Sequence, residues 1–265
     1  MTRARILVYT AIGAVVVLLI AGAGILVGMR LGDTTSAEQP PAEPPSTPTA
    51  PTSSPPQDAA GDPRYEVEAG SGGTDVAEAD GETPVGYDSG CPGAVQAATN
   101  YVTYALSGNV QWRVDQATYE DLIDELNNGL DGGIGPMSDR KARVIENGFF
   151  TDTTSPFYFE THPEWGIYRV TDCYPGNTAT IDVIYATADN ATPEIAGVPG
   201  LRVYLTWNGG DWRLVDAESD FMYPLRENHP DLPPDAQMGA TREWREQALS
   251  TLGPDWQEYT NAPAD

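Results

Sequence analysis

Basic residues are scarce in this chain. Of 265 residues, 14 are Lys or Arg and 39 are Asp or Glu, a net charge of -25, and Lys141 is the single lysine. A phosphate backbone requires a basic groove or stripe, and none is present, which argues against nucleic acid as a direct partner and against a domain lying on anionic lipid. Histidine is nearly absent: His162 and His229 each precede a proline in an expected turn or loop. No serine or cysteine stands in a nucleophile elbow, so no triad has local support and no catalytic residue is assigned. The glycine-rich stretch 129–135 lacks the lysine and the preceding strand of a phosphate loop and reads as a helix connection. Only two cysteines exist, Cys91 and Cys173, and with no histidine near either, a closed metal site has too few ligands. No metal and no cofactor is assigned.

What the chain does have begins at its N-terminus. Arg3 and Arg5 precede an apolar run, Ile6 to Met29, without a charge. As a helix the run is about 35 Å long, enough to cross a hydrocarbon core of about 30 Å. The leading arginines place residues 1–5 in the cytoplasm and the chain after Arg30 outside. The expectation is an uncleaved single-pass anchor at the cell membrane. The alternative is a signal peptide cleaved near Ala21-Gly22-Ala23, after which Gly24–Met29 would be an odd apolar start. Residues 30–88 read as a disordered Pro/acid-rich linker: Pro40-Pro41, Pro44-Pro45 and Pro55-Pro56 sit among Ser, Thr and acids, with few large apolar residues to offset ordering entropy.

An exported domain with an isolated cysteine pair is naturally read as carrying one disulfide, Cys91–Cys173, contributing about 4 kcal/mol through loop closure. Two buried free thiols are the alternative. The domain opens with a helix whose Ala94, Ala97, Ala98, Tyr101, Val102, Ala105 and Leu106 share one stripe, with Pro92 in its first turn. A second helix is expected over 119–130, with Thr118 and Asp121 approximating a capping box, and a shorter third over 138–147. The period then changes to two. Strands are expected over 156–161, 165–174, 179–188, 201–207 and 212–219, with turns at Asn177 and Gly209-Gly210, and Ile181, Val183 and Tyr185 read as a core face. A last helix is expected near 241–252, with Trp244, Ala248 and Leu252 on one face. Helices followed by antiparallel strands give an α+β layout, domain 89–220, followed by a C-terminal extension, 221–265, with one helix.

Two constellations bear on binding. Asp216, Glu218 and Asp220 match positions 1, 3 and 5 of a calcium loop, but Phe221 stands where the glycine should be, so they read as the wet face of the final strand. Trp244 and Trp256 are the partner-contact candidates, and Trp256, in a short tail after the last helix, is expected to be exposed.

Gly93-Ala94-Val95-Gln96-Ala97-Ala98 with Tyr101, and Val203–Trp207 followed by Gly209-Gly210-Asp211-Trp212-Arg213-Leu214-Val215, resemble the opening helix and closing hairpin of nuclear-transport-factor-like domains in actinobacterial membrane proteins. The resemblance covers roughly residues 89–219. It implies N-terminal helices packed on a strongly bent, cone-like sheet. With the anchor and linker, the chain is similar to accessory proteins of conjugative elements, which resemble the inner-membrane assembly factors of type IV secretion systems. That implies a scaffold whose partners are envelope proteins of a transfer apparatus, with a homo-oligomer also possible. The other readings are an exported small-ligand or cation-binding module, and a cone-pocket enzyme using Tyr101, Tyr104, Tyr168, Tyr185 and Asp182.

Overall fold

The computed structural model describes residues 64–107, 110–128, 130, 135–147, 150, 159–189, 195–233, 235–237 and 241–264. The expected anchor, 6–29, and the first part of the expected linker lie outside the described residues. Among those described, no helix is long and apolar enough to cross a membrane.

The architecture is α+β. A short antiparallel hairpin comes first, β1 (Asp75–Val76) with β2 (Pro84–Val85). Helix α1 (Cys91–Tyr101) follows and runs into a π-helical turn, Val102–Leu106, closed by Ser107 N donating to Val102 O at 3.0 Å. Next come α2 (Val110–Arg113), α3 (Gln116–Asn127) and α4 (Pro136–Glu146). The sheet is built from β3 (Phe159–Tyr174), β4 (Thr178–Asp189), β5 (Ile195–Gly197), β6 (Gly200–Trp207) and β7 (Trp212–Glu218). The chain ends with α5 (Met222–Asn228), β8 (Asp235–Gln237), α6 (Thr241–Leu252) and β9 (Gln257–Glu258). All pairings are antiparallel, in the order β7-β6-β4-β3-β9, with β5 pairing β4 and β8.

Local sequence explains most of these elements. Pro92 and Pro136 start α1 and α4, where a missing N–H costs nothing. The cap of α3 is Asp115, whose carboxylate accepts Thr118 N at 2.8 Å, so the helix starts three residues before the expected box at Thr118. Asn128, at φ 52°, closes it in the left-handed conformation. The two strands expected over 156–161 and 165–174 are one strand, β3, with its ladder interrupted between His162 and Ile167. Pro163 has no N–H to give the ladder. At Gly166 a Cβ would fall 1.9 Å from Ile184 O, so the interruption also brings two backbones closer than any side chain allows.

Two apolar layers sandwich the sheet. Ile181, Val183, Tyr185, Val203 and Leu205 meet Ala94, Ala98, Tyr101, Leu122 and Leu126 in the first core. On the other face Ile167, Ile184 and Ala186 meet Phe221, Leu232, Trp244, Ala248 and Trp256 in a second core. Two expected boundaries are therefore corrected. The fold reaches back to at least residue 64, because Val67, Ala69, Ala77 and Tyr87 are buried in the first core. These apolar side chains are sparse in a Gly/acid-rich stretch, but each one is buried. Likewise 221–265 is not an appended extension with one helix; it holds α5, β8, α6 and β9 and supplies the second core.

The two ends of the fold are laced together. Thr260 N donates to Val67 O at 2.8 Å. The Asn261 amide exchanges two 2.9 Å hydrogen bonds with Ala69, Oδ1 accepting from Ala69 N and Nδ2 donating to Ala69 O. The Cys91–Cys173 disulfide is present and joins the start of α1 to the end of β3, with Cα atoms 6.0 Å apart.

Candidate functional site

Two of the tyrosines that could have lined a pocket have their hydroxyls tied to the backbone. Tyr101 OH donates to Trp212 O at 2.7 Å and Tyr168 OH to Tyr65 O at 2.5 Å. The Tyr104 ring lies under the Arg113 guanidinium, 4.4 Å from its centroid. Tyr185 is buried, and that burial pushes its hydroxyl up to about 12. Burial also holds the Tyr101 and Tyr168 hydroxyls above their ordinary range.

Asp182 does not join them. It alternates to the opposite face from Ile181 and Val183, where it is fully buried between two arginines that are a quarter exposed. Arg202 grips it from β6, Nε to Oδ1 at 2.7 Å and Nη2 to Oδ2 at 3.0 Å. Arg169 reaches it from β3, and Thr171 Oγ1 adds a 3.2 Å bond. The register sets Arg169, Asp182, Arg202 and Glu218 opposite one another across β3, β4, β6 and β7, a row of alternating charge. The Asp182 hydrogen bond, helped by the charge it carries and opposed by burial, holds Arg202 above the ordinary guanidinium range. The C-terminal segment closes over this row: Arg169 lies 4.8 Å from the Trp256 ring centroid and Arg202 5.4 Å from that of Phe221. This constellation is a clamp between sheet and C-terminal layer. Its signal in the sequence is Asp182 inside the apolar run Ile181–Tyr185 and Arg202 between Leu201 and Val203, whereas Arg169 stands in a strand that also carries Glu160, Glu164 and Asp172.

The partner-contact candidates are corrected. Trp244 is 4% exposed and Trp256 3%, both in the second core. Trp244 Nε1 donates to Pro233 O at 3.1 Å, and Trp256 precedes β9, which pairs with β3 and so draws the tail onto the sheet. Among the described residues the exposed aromatics are Tyr223, 85% exposed, and Tyr174, 59% exposed.

The acidic trio does not converge. The Asp216 carboxylate accepts its neighbour Ala217 N at 2.7 Å, and Glu218 accepts Tyr204 OH at 2.9 Å. Among the described residues no group of His, Cys, Asp or Glu is placed to hold a metal ion. His162 stacks on Trp165, ring centroids 3.9 Å apart, with Nδ1 3.1 Å from Glu164 and Nε2 3.5 Å from Glu160. Burial pulls its pKa down, but the two carboxylates outweigh that and leave it raised.

Two surface hollows flank the turn between β7 and α5. One, of about 760 Å³, separates Asp139 and Arg140 of α4 from Asp216, Glu218 and Asp220. The other, of about 680 Å³, lies along α5 beside Tyr223. A scan of protein-family models finds no match, and searches of the curated proteins and of the solved structures find no significant one.

Proposed function

We propose that this chain is a membrane-anchored scaffold or interaction protein whose folded domain lies outside the cytoplasm, working beside other envelope proteins in a conjugative or type IV secretion-like transfer apparatus. The observation that carries this reading is the closure of the sheet on both faces. On one face the hydroxyls of Tyr101 and Tyr168 are held by carbonyls. On the other the buried carboxylate of Asp182 is held by two arginines. These groups are committed to holding the fold, and we read the surface as carrying the function. The disulfide supports an oxidising compartment and with it the export of this domain. The irregular registers in β3 and between β6 and β7 are consistent with a cone-like wrap around α1, which needs local bends of this kind.

A small-ligand module is the second reading. It is favoured by a shallow hollow of about 450 Å³ lined by Leu130, Thr180, Tyr204, Thr206 and Val215. A crosslinking pull-down from native membranes, with the intact chain tagged at its C-terminus, separates the two. Recovery of single-span envelope proteins and a transfer ATPase is the expected result. Recovery of the protein alone, at monomer mass, overturns the scaffold reading.

A further inference from the structure

The turn joining β7 to α5 combines three features among the described residues: an almost fully exposed aromatic ring, an adjoining groove, and carboxylates that enter no salt bridge. Tyr223 is 85% exposed. Its position is not loose, because Tyr223 N donates to Asp220 O at 3.1 Å and Met222 N to Ser219 O at 3.2 Å. The backbone therefore holds the ring out in water, where it gains nothing for the fold. The groove along it is lined by Ser219, Asp220, Met222, Arg226 and Glu227, and it shares Ser219 and Asp220 with the cleft facing α4.

The local charge is one-sided. Glu218, Asp220 and Glu227 are exposed at the rim. Of the arginines lining the groove and the adjoining cleft, Arg143 is exposed on α4 across the cleft, whereas Arg226 and Arg140 reach inward to carbonyls. Arg226 donates to Val198 O at 3.0 Å and to Pro233 O at 3.4 Å. Arg140 donates to Leu106 O at 3.0 Å and to Ala217 O at 3.2 Å. An occupant of this groove must bring its own positive charge beside an apolar group that can cover Tyr223 and Met222.

We propose that the β7–α5 turn docks a partner-protein segment in which a cationic side chain stands next to an apolar one, with Tyr223 as the anchor and Asp220 and Glu227 as the charge partners. This deepens the scaffold reading and rests on it, but the crosslinking result above can hold while this surface proves idle.

The test uses the full chain in detergent micelles and a fluorescein-labelled nonapeptide of alternating arginine and leucine, followed by anisotropy at physiological salt. A strongly acidic protein attracts any cationic peptide, so charge-matched controls decide the matter. Tyr223→Ala and the pair Asp220→Asn/Glu227→Gln should each weaken binding roughly tenfold. The pair Glu78→Gln/Asp121→Asn removes the same charge from the α3 side and should change affinity less than about twofold by screening alone. All substituted positions are exposed, so thermal melts should coincide with wild type. Absence of binding, equal weakening by the distant pair, or equal binding of a glutamate–leucine peptide each overturns the proposal.

Discussion

The two faces of the sheet are closed by different chemistry. The face toward α1 and α3 is apolar with buried tyrosines, of which Tyr101 ends on the Trp212 carbonyl. The face toward the C-terminal layer is divided: an apolar half under Trp244 and Trp256, then a row of charges at the border of that layer. A hydrophobic layer tolerates small adjustments in register, whereas a bidentate arginine does not. The charged row therefore locks β4 against β6 and meets the C-terminal layer through the Trp256 and Phe221 rings, while the apolar half supplies most of that layer's adhesion. The edge strand β7 shows the same division of labour: Trp212 O, Leu214 O and Ala217 O each accept a side-chain bond, from Tyr101, Asn127 and Arg140. Capping these carbonyls blunts an edge that would otherwise template another strand.

The comparison is tested most severely by removing one lock from each face. Replacing both cysteines by alanine frees the start of α1 from β3 and should cost about 4 kcal/mol by loop closure, read as a shift in the urea midpoint. Asp182→Asn leaves two arginines facing each other without their counter-ion and should cost about 3 kcal/mol. The sharper contrast lies in the region each change loosens. Hydrogen exchange in Asp182→Asn should rise first in α5 and α6, and in the cysteine variant first in α1. If both variants loosen the same elements, the two faces are one cooperative unit and the distinction between them fails.

The α+β layout was legible because periodicity survives translation into structure: the stripe from Ala94 to Leu106 and the alternation at Ile181, Val183 and Tyr185 are visible in the residues themselves. The cysteine pair was legible for the same reason, since an isolated pair in an exported domain has few other uses. What remained hidden depends on long-range partners. Nothing near Val67 or Ala69 announces that Thr260 and Asn261 will bind their backbone from 192 or more positions away. Trp256 looks like an exposed tail residue until β9 pairs with β3. The Arg169–Asp182–Arg202 row was visible only as three separate strand charges, because register, not sequence spacing, sets them opposite one another.

The edge of β7 offers a smaller break. Asn127→Ala removes the 2.8 Å bond to Leu214 O and leaves a buried carbonyl without that donor. The cost should be about 2 kcal/mol, and Tyr101→Phe should cost about 1 kcal/mol through Trp212 O. Both are readable in urea. An effect of this size confined to the α3 side would place the edge cap with the first core; a simultaneous loss of the C-terminal layer would join the two.

His162 should give the smallest effect, and its sign follows from its neighbours. Glu164 and Glu160 raise its pKa in the folded chain above the ordinary 6.5 despite the opposing pull of burial. A group whose folded pKa is raised contributes stability that is fully present below its unfolded pKa and lost as pH rises through the folded value. The stability difference between wild type and His162→Gln should therefore be larger at pH 5.5 than at pH 8.5. The tyrosines on the other face behave likewise in a separate window: Tyr185 and Tyr119, both pushed up to about 12 by burial, favour the folded state until pH climbs beyond the ordinary 10. Because His162 stacks on Trp165, which packs against the second core, its loss should be felt at the β3 interruption and in α6 rather than in α1. A difference between wild type and His162→Gln that stays flat from pH 5.5 to 8.5 would mean that the carboxylates do not hold the imidazole. The stacking on Trp165 would then be its whole contribution.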